Sequence, residues 1–179
     1  LSPGDTVQIR YGAGSTGARA DRFSESGAAL WVAVDGDGDG IRGLLSEPVR
    51  VDVRAGPAHM VHLTLPSTAE PGDRVFATVA MLDVLGNAVR DWTGTLSLSS
   101  TPSLKLPETV TISESGRARV SVEVVGPGVS QVVVTTEEGW ISRSNPMVVR
   151  EGIESVLWGD LQIHSGRSDG TGTPAEVWD

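Results

Sequence analysis

Three aspartates in the stretch VDGDGDGIRG give it the composition of a cation-binding loop. Asp35, Asp37 and Asp39 stand at alternate positions, so three carboxylates could converge on one hard cation, and Gly40 permits a sharp bend after them. Calcium is the obvious candidate. The twelfth position of a helical calcium loop would be Ser46 rather than a bidentate glutamate, which excludes an EF-hand. Two interpretations stay open: a solvated acidic hairpin turn, and a weak calcium site in a β-loop.

Two of the three histidines lie close together in the stretch HMVH. The spacing of His59 and His62 would suit zinc on a helix, but the local pattern is that of a strand, where residues three apart point to opposite faces. We therefore expect two independent strand histidines. Trp92 and Trp140 are expected to pack in the core or on a sheet face, with sugar stacking as the alternative.

The closing segment, residues 155–179, differs in kind from the rest of the chain. SVLWGDLQIHS has a strand pattern, GRSDGTG is a loop, and TPAEVWD begins a helix. Thr173 is the expected N-cap, Pro174 the first helical residue, and Glu176 completes a capping box. This order opens a β/α unit. Since isolated helices need roughly 12 to 15 residues, we expect the unit to be truncated.

A metal-site motif is visible within this segment, in WGDLQIHSGRSDGTGTP, residues 158–174. It resembles the first motif of the PHP (polymerase and histidinol phosphatase) superfamily of metal-dependent hydrolases, and in particular a bacterial branch in which β-sandwich modules precede the catalytic barrel. That motif reads Asp-Leu-His-x-His-Ser/Thr-x-x-Ser-Asp-Gly. The matching residues are Asp160, Leu161, His164, Ser165, Ser168, Asp169 and Gly170.

The resemblance implies a site for a divalent transition metal, namely zinc, manganese or iron. It implies His164 and Asp169 as metal ligands, with Asp160 and Gln162 as further positions of the site. Gln162 departs from the motif, which has histidine there, and an amide is a poorer ligand for a transition metal than imidazole. At least one metal of the usual cluster is therefore in question.

The same resemblance implies a parent enzyme that hydrolyses an ester, most simply a phosphoester, with metal-activated water. The other ligands of such a site are absent from this chain, so its partner would be the rest of its own hydrolase domain. We therefore expect the 179 residues alone to be inactive.

The composition of the chain argues against several other classes of function. The chain has 23 acidic and 14 basic residues and a net charge of −9, which argues against a nucleic-acid partner. It lacks cysteine, which excludes disulfides and cysteine-bound zinc. No apolar run approaches the roughly 20 residues of a membrane span. Immunoglobulin-like modules ahead of an enzyme often accompany exported bacterial proteins, so we expect a periplasmic or extracellular location.

The elements around these residues read as antiparallel β-strands, because hydrophobic residues recur at every second position between Gly, Pro, Asp and Asn turns. The fold class is therefore all-β. We expect a partial sandwich module over 1–55, an immunoglobulin-like β-sandwich over 56–150, and the first β/α unit of a hydrolase barrel over 151–179. In the partial module, DTVQIRYG should be a strand and PVRVDVR should bury its valines.

The middle module contains VAMLDVLGNAVRDWTGTLSLSS, which resembles the strand, turn and strand of bacterial immunoglobulin-like repeats. Its shared residues are Asp83, Gly86, Asn87 and Val89. The first three supply turn chemistry, and Val89 should restart the buried face. The competing function is accordingly a non-enzymatic surface or adhesion protein of tandem immunoglobulin-like modules, stiffened by calcium at the aspartate loop.

Overall fold

The computed structural model describes residues 4–159, 164, 165, 167 and 173. All regular elements in this part of the chain are β-strands, and no helix that could cross a membrane occurs in it. The strands are β1 (Glu25–Leu30), β2 (Ala33–Val34), β3 (Gly43–Leu44), β4 (Val49–Val53), β5 (Met60–Thr64), β6 (Thr68–Ala69), β7 (Arg74–Leu82), β8 (Gly94–Ser100), β9 (Leu104–Lys105), β10 (Thr109–Ile112), β11 (Arg117–Val124), β12 (Gly128–Ser130), β13 (Val132–Thr135), β14 (Ile141–Arg143) and β15 (Met147–Val149).

The chain forms two compact units. The first unit comprises Leu1–Arg54 together with His164–Asp179, and the second unit comprises Ala55–Ile163. In the second unit, one four-stranded sheet has the order β10-β8-β13-β14 and the other has the order β5-β7-β11-β9. A short third sheet, β12-β15-β6, includes a parallel pair between β15 and β6. The second unit is a β-sandwich of immunoglobulin-like type, as the alternating pattern predicts.

The core of the sandwich consists of side chains from alternate positions of its strands. In β11, Val120, Val122 and Val124 are buried while Arg119 and Ser121 are exposed. This arrangement follows from the two-residue period of a strand, which sends successive side chains to opposite faces of the sheet. The predicted buried face of β11 is therefore confirmed. Trp92 and Trp140 are partly buried and pack against this core.

The turn after β7 is organised by the buried carboxylate of Asp83. Its oxygens accept hydrogen bonds from the backbone N–H groups of Gly56 (2.8 Å), Leu85 (2.8 Å) and Asn87 (2.9 Å), and from the Asn87 side-chain amide (2.9 Å). The Asn87 amide, followed by the backbone donors, holds the pKa of Asp83 well below its usual range, although burial alone would raise it. Gly86 has a φ of 88°, and Val89 is buried, as the turn chemistry predicts.

A second tight turn joins β10 to β11 through Gly116. This glycine has a φ of 65°, and its carbonyl oxygen accepts a hydrogen bond from the Met81 N–H at 2.9 Å. A Cβ at this position would collide with the carbonyl oxygen of Val89. Only glycine satisfies both the left-handed conformation and the close approach of the neighbouring backbone.

The first unit has strands but no packed core in its described part. β1 pairs with β4 and β2 pairs with β3, each antiparallel, and no side chain between residues 4 and 54 is fully buried. Two expectations were wrong here. Residues 5–12 form no strand, and Val49 and Val51 on β4 are exposed rather than buried, because no second sheet of this unit covers that face among the described residues.

The segment NAVRDW, residues 87–92, follows the Asp83 turn and forms no strand of its own. It contributes one isolated bridge, Ala88 to Leu82, because the Asp83 turn brings the chain back onto β7 only briefly. Five short strands were not expected individually: β3, β6, β9, β12 and β14. Each has two or three residues, too few to show a period.

Candidate functional site

The aspartate loop connects β2 to β3 at the tip of a short hairpin. Ala33 pairs with Leu44 and Val34 with Gly43, and the Leu45 N–H donates to the Val32 carbonyl at 2.9 Å. The ladder therefore ends immediately before the first aspartate. Closing the hairpin over an eight-residue loop gathers the three carboxylates at one end of it.

The carboxylates also order the loop backbone. Asp35 accepts from the N–H groups of Gly38 (2.7 Å) and Gly40 (3.0 Å), one on each oxygen. Asp39 accepts from the Ile41 N–H at 2.7 Å, and Asp37 accepts from the Asp39 N–H at 3.3 Å. Gly38 and Gly40 have positive φ values of 81° and 87°, which the loop needs in order to fold back toward Asp35.

This geometry suits a hard cation. One carboxylate oxygen from each of Asp35, Asp37 and Asp39 lies within 4.8 Å of the others. Calcium binds oxygen at about 2.3–2.6 Å, so two oxygens on one ion lie at most about 5.2 Å apart. The three separations are compatible with one shared ion. Among the described residues this is the one group of three acidic or histidine side chains placed in that way.

A second arrangement holds the segment that follows the last strand, here termed the exit segment, Glu151–Gly159. Beyond β15 the chain turns back along the stretch Ser67–Glu70. The Gly152 N–H donates to the Glu70 carboxylate at 3.0 Å, and the Val156 N–H donates to the Thr68 hydroxyl at 3.0 Å. The indole N–H of Trp158 donates to the Ser67 hydroxyl at 2.6 Å.

These contacts determine the direction of the exit segment. Glu70, Thr68 and Ser67 meet successively later residues of it, so it runs antiparallel to their stretch. The Leu157 and Trp158 side chains remain 90% and 83% exposed. The predicted strand beginning at Ser155 does not form over Ser155–Gly159, because side-chain acceptors replace a strand partner there.

Most positions of the metal motif lie outside the described residues. These positions are Asp160, Gln162 and Asp169, together with the expected helix start after Thr173. His164 is described and is exposed. Beside it, the Ser165 hydroxyl accepts from the Arg167 N–H at 3.3 Å. The donor types of His164 and Asp169 suit a transition metal, whereas the Gln162 amide does not.

The remaining histidines are separate from these groups. His62 lies on the exposed side of β5, and His59 precedes that strand, where its N–H donates to the Leu82 carbonyl at 2.8 Å. The sequence-based interpretation missed Ser67, Thr68 and Glu70. Their local signal is a polar run after Pro66, which is common in loops and does not indicate a partner more than eighty residues away.

Comparison with known proteins gives structural similarities at low sequence identity. No family model matches the sequence, and no curated protein matches it. A glycosyl hydrolase family 2 member from Bacteroides cellulosilyticus aligns at 10% identity and a TM-score of 0.49, over 59% of this chain and 16% of that chain. The D00-D0 domain of intimin aligns at 16% identity and 0.44, over 59% and 57%.

The S-layer protein SbsC, in its domains 4 and 5, aligns at 15% identity and a TM-score of 0.40, over 60% of this chain and 62% of that one. The chain thus spans about a sixth of the glycosyl hydrolase and less than two thirds of the other two.

Proposed function

We propose that the second unit is a non-catalytic immunoglobulin-like module that holds the start of a PHP-type metal-dependent hydrolase domain. The observation that carries the proposal is the docked exit segment, which leads directly into the metal motif. Three hydrogen bonds, from Gly152, Val156 and Trp158, fix its path on the sandwich. A module that served only as a spacer would need no such contacts.

The hydrolase part of the proposal rests on the motif resemblance. In it, His164 and Asp169 would bind zinc, manganese or iron, and Asp160 and Gln162 would lie around the metal. The bound metal would supply an activated water for hydrolysis of a phosphoester. The other ligands come from the rest of the hydrolase domain, so the 179-residue chain is inactive. Export to the periplasm or cell exterior belongs to the same proposal.

Expression of the gene beyond residue 179 tests the enzymatic part. The longer product should hydrolyse a generic phosphate ester in the presence of Mn²⁺ or Zn²⁺, and the 179-residue chain should not. His164→Ala should lower kcat/KM at least a hundredfold, while His62→Ala, an exposed control on β5, should leave it unchanged. Turnover by the short chain, or none by the longer product with Mn²⁺, Zn²⁺ or Fe²⁺, would overturn the proposal.

Amide hydrogen exchange tests the docked segment in the chain as it stands. Thr68→Val removes the acceptor for Val156, and that amide should then exchange faster while amides in β7 and β11 keep their rates. Thr64→Val, on the exposed face of β5, is the matched control. Unchanged exchange at Val156 in Thr68→Val would show that the segment is not held in this way.

The second candidate is a surface or adhesion protein stiffened by calcium. The convergence of Asp35, Asp37 and Asp39 supports it. Calcium at a hundred times its dissociation constant should raise the stability of the first unit by about 2.7 kcal/mol, and Asp37→Ala should abolish that gain. Asp21→Ala, outside the loop, is the control. A calcium response retained in Asp37→Ala would rule out this loop as the site.

A further inference from the structure

The outer face of one sheet of the sandwich carries a concentration of positive charge, here termed the basic face. It consists of the outward positions of the sheet β5-β7-β11-β9. Its charged members are Arg74, Lys105, Arg117, Arg119 and Glu123. Four cations and one anion leave three positive charges on this face, in a chain whose net charge is −9.

The cations come together only through strand pairing. Glu123 on β11 lies opposite Arg74 on β7 and opposite Lys105 on β9, and Arg119 lies opposite Thr78. Neighbouring strands are about 4.8 Å apart, and alternate residues along one strand about 7 Å apart. The charges therefore lie across an open sheet face rather than in a pocket.

The opposite sheet of the same sandwich provides an internal contrast. On the strands β10, β8, β13 and β14, Arg143 is the one charged residue at the outward positions. The other outward residues there are mainly Ser and Thr, including Thr95 and Thr111, whose hydroxyls lie 3.2 Å apart. The charge asymmetry is thus specific to one face and is not a general property of the sandwich.

Arg119 is held in place within the basic face. Its guanidinium carbon lies 4.4 Å from the centroid of the Phe76 ring, a cation–π contact. Phe76 itself is 46% exposed. Ordering a guanidinium before binding reduces the entropy lost when its planar fork meets a carboxylate. Ser121 lies between Arg119 and Glu123 along β11, Thr78 lies opposite Arg119, and Thr64 lies opposite Thr78, so their hydroxyls are beside the charges.

We infer that the basic face binds an acidic polysaccharide, a polymer that bears one carboxylate on each of many sugar rings. The planar guanidinium groups of the arginines match carboxylates in geometry. The serine and threonine hydroxyls can form hydrogen bonds with the sugar hydroxyls, and the exposed part of the Phe76 ring offers an apolar surface. A flat sheet face accommodates an extended chain that crosses several strands.

The charge pattern disfavours two other polyanions. Double-stranded DNA carries one charge per about 1.7 Å of axis, which is denser than the charges of this array. Binding to a lipid surface grows with the apolar area that enters it. On this face the exposed large hydrophobic side chains are Met60 and Phe76, while Thr78 and Ala80 at its centre are small.

Binding of polygalacturonate to the 179-residue chain, measured by calorimetry at low salt, tests the inference. We expect saturable binding that weakens as salt is raised, and no binding of a neutral glucan of similar length. The double variant Arg74→Gln/Arg119→Gln should bind at least tenfold more weakly. Arg143→Gln, which removes one positive charge from the opposite sheet, should bind like the wild type.

A second variant distinguishes a loss of binding from misfolding of the double variant. Phe76→Leu keeps every charge but releases Arg119 from the ring, and it should weaken binding severalfold. The inference is overturned if polygalacturonate does not bind, if the double variant and Arg143→Gln weaken binding equally, or if the neutral glucan binds as well. Preferential binding of anionic phospholipid vesicles or of DNA would also overturn it. These outcomes are independent of hydrolase activity.

Discussion

The two units of this chain share one sequence pattern and differ in what it produces. In β11 of the second unit, the alternating valines are buried between two sheets. In β4 of the first unit, Val49 and Val51 alternate in the same way and remain exposed. Alternation therefore specifies the two faces of a strand, whereas burial requires a second layer that the strand itself does not provide.

The largest expected difference between the units is in amide exchange. Amides of β7 and β11 should exchange only by global unfolding, because their strands are central to the packed sandwich. Amides of β1 and β4 should open locally. For an ordinary domain stability of at least 5 kcal/mol, we expect protection at least about a thousandfold higher in β7 and β11. Equal protection of the strand amides in both units would show that the first unit is packed as well as the second.

Truncation of one leucine in each unit should lower the free energy of unfolding much more in the second unit than in the first. Leu63 on β5 is 1% exposed and Leu44 on β3 is 66% exposed. Leu63→Ala should lower the free energy of unfolding by about 3 kcal/mol, since buried leucines cost roughly 2–5 kcal/mol to truncate. Leu44→Ala should change it by less than about 0.5 kcal/mol. Urea denaturation measures both, and comparable losses would show that the first unit is packed.

A pair of glycine substitutions sharpens the comparison within the second unit. Gly116→Ala should cost about 3 kcal/mol, since it adds left-handed strain of about 1–2 kcal/mol and a backbone collision with Val89. Gly72→Ala, with a φ of 95° and open space around its Cβ position, should incur the strain alone. If both variants lower the free energy of unfolding equally, the backbone around residue 116 moves away from the added Cβ without an energetic cost.

The smallest of the expected effects is the pH dependence contributed by Asp83. Its folded pKa lies below that of an unfolded aspartate, about 3.9. Its contribution is therefore present above pH 4 and is lost as the pH falls below that value toward the folded pKa. Asp83→Asn should melt several degrees lower at pH 7, and its difference from the wild type should shrink on acidification below pH 4.

The control for this pH dependence is Asp91→Asn, an exposed aspartate near the same turn. It should follow the wild-type melting temperature across the same pH range. A difference between Asp83→Asn and wild type that is constant from pH 7 to pH 2 would show that the carboxylate charge at Asp83 does not stabilise the turn.

Local features of the sequence were sufficient to predict the longer strands of the sandwich and the acidic hairpin loop. Strand period and turn chemistry act over a few residues, so β11, the Asp83 turn and the gathering of Asp35, Asp37 and Asp39 follow from neighbours in the chain. The PHP resemblance of residues 158–174 is local as well, and it stays a prediction, because most of its positions lie outside the described residues.

Tertiary structure alone decided which faces are covered and which distant residues meet. The burial of β11 and the exposure of β4 depend on whether a second sheet packs against each strand. The Ser67–Trp158 hydrogen bond spans 91 positions, and the basic face joins residues from β7, β9 and β11. A single sequence does not specify such contacts, because they depend on how separate strands pair and on the register of that pairing.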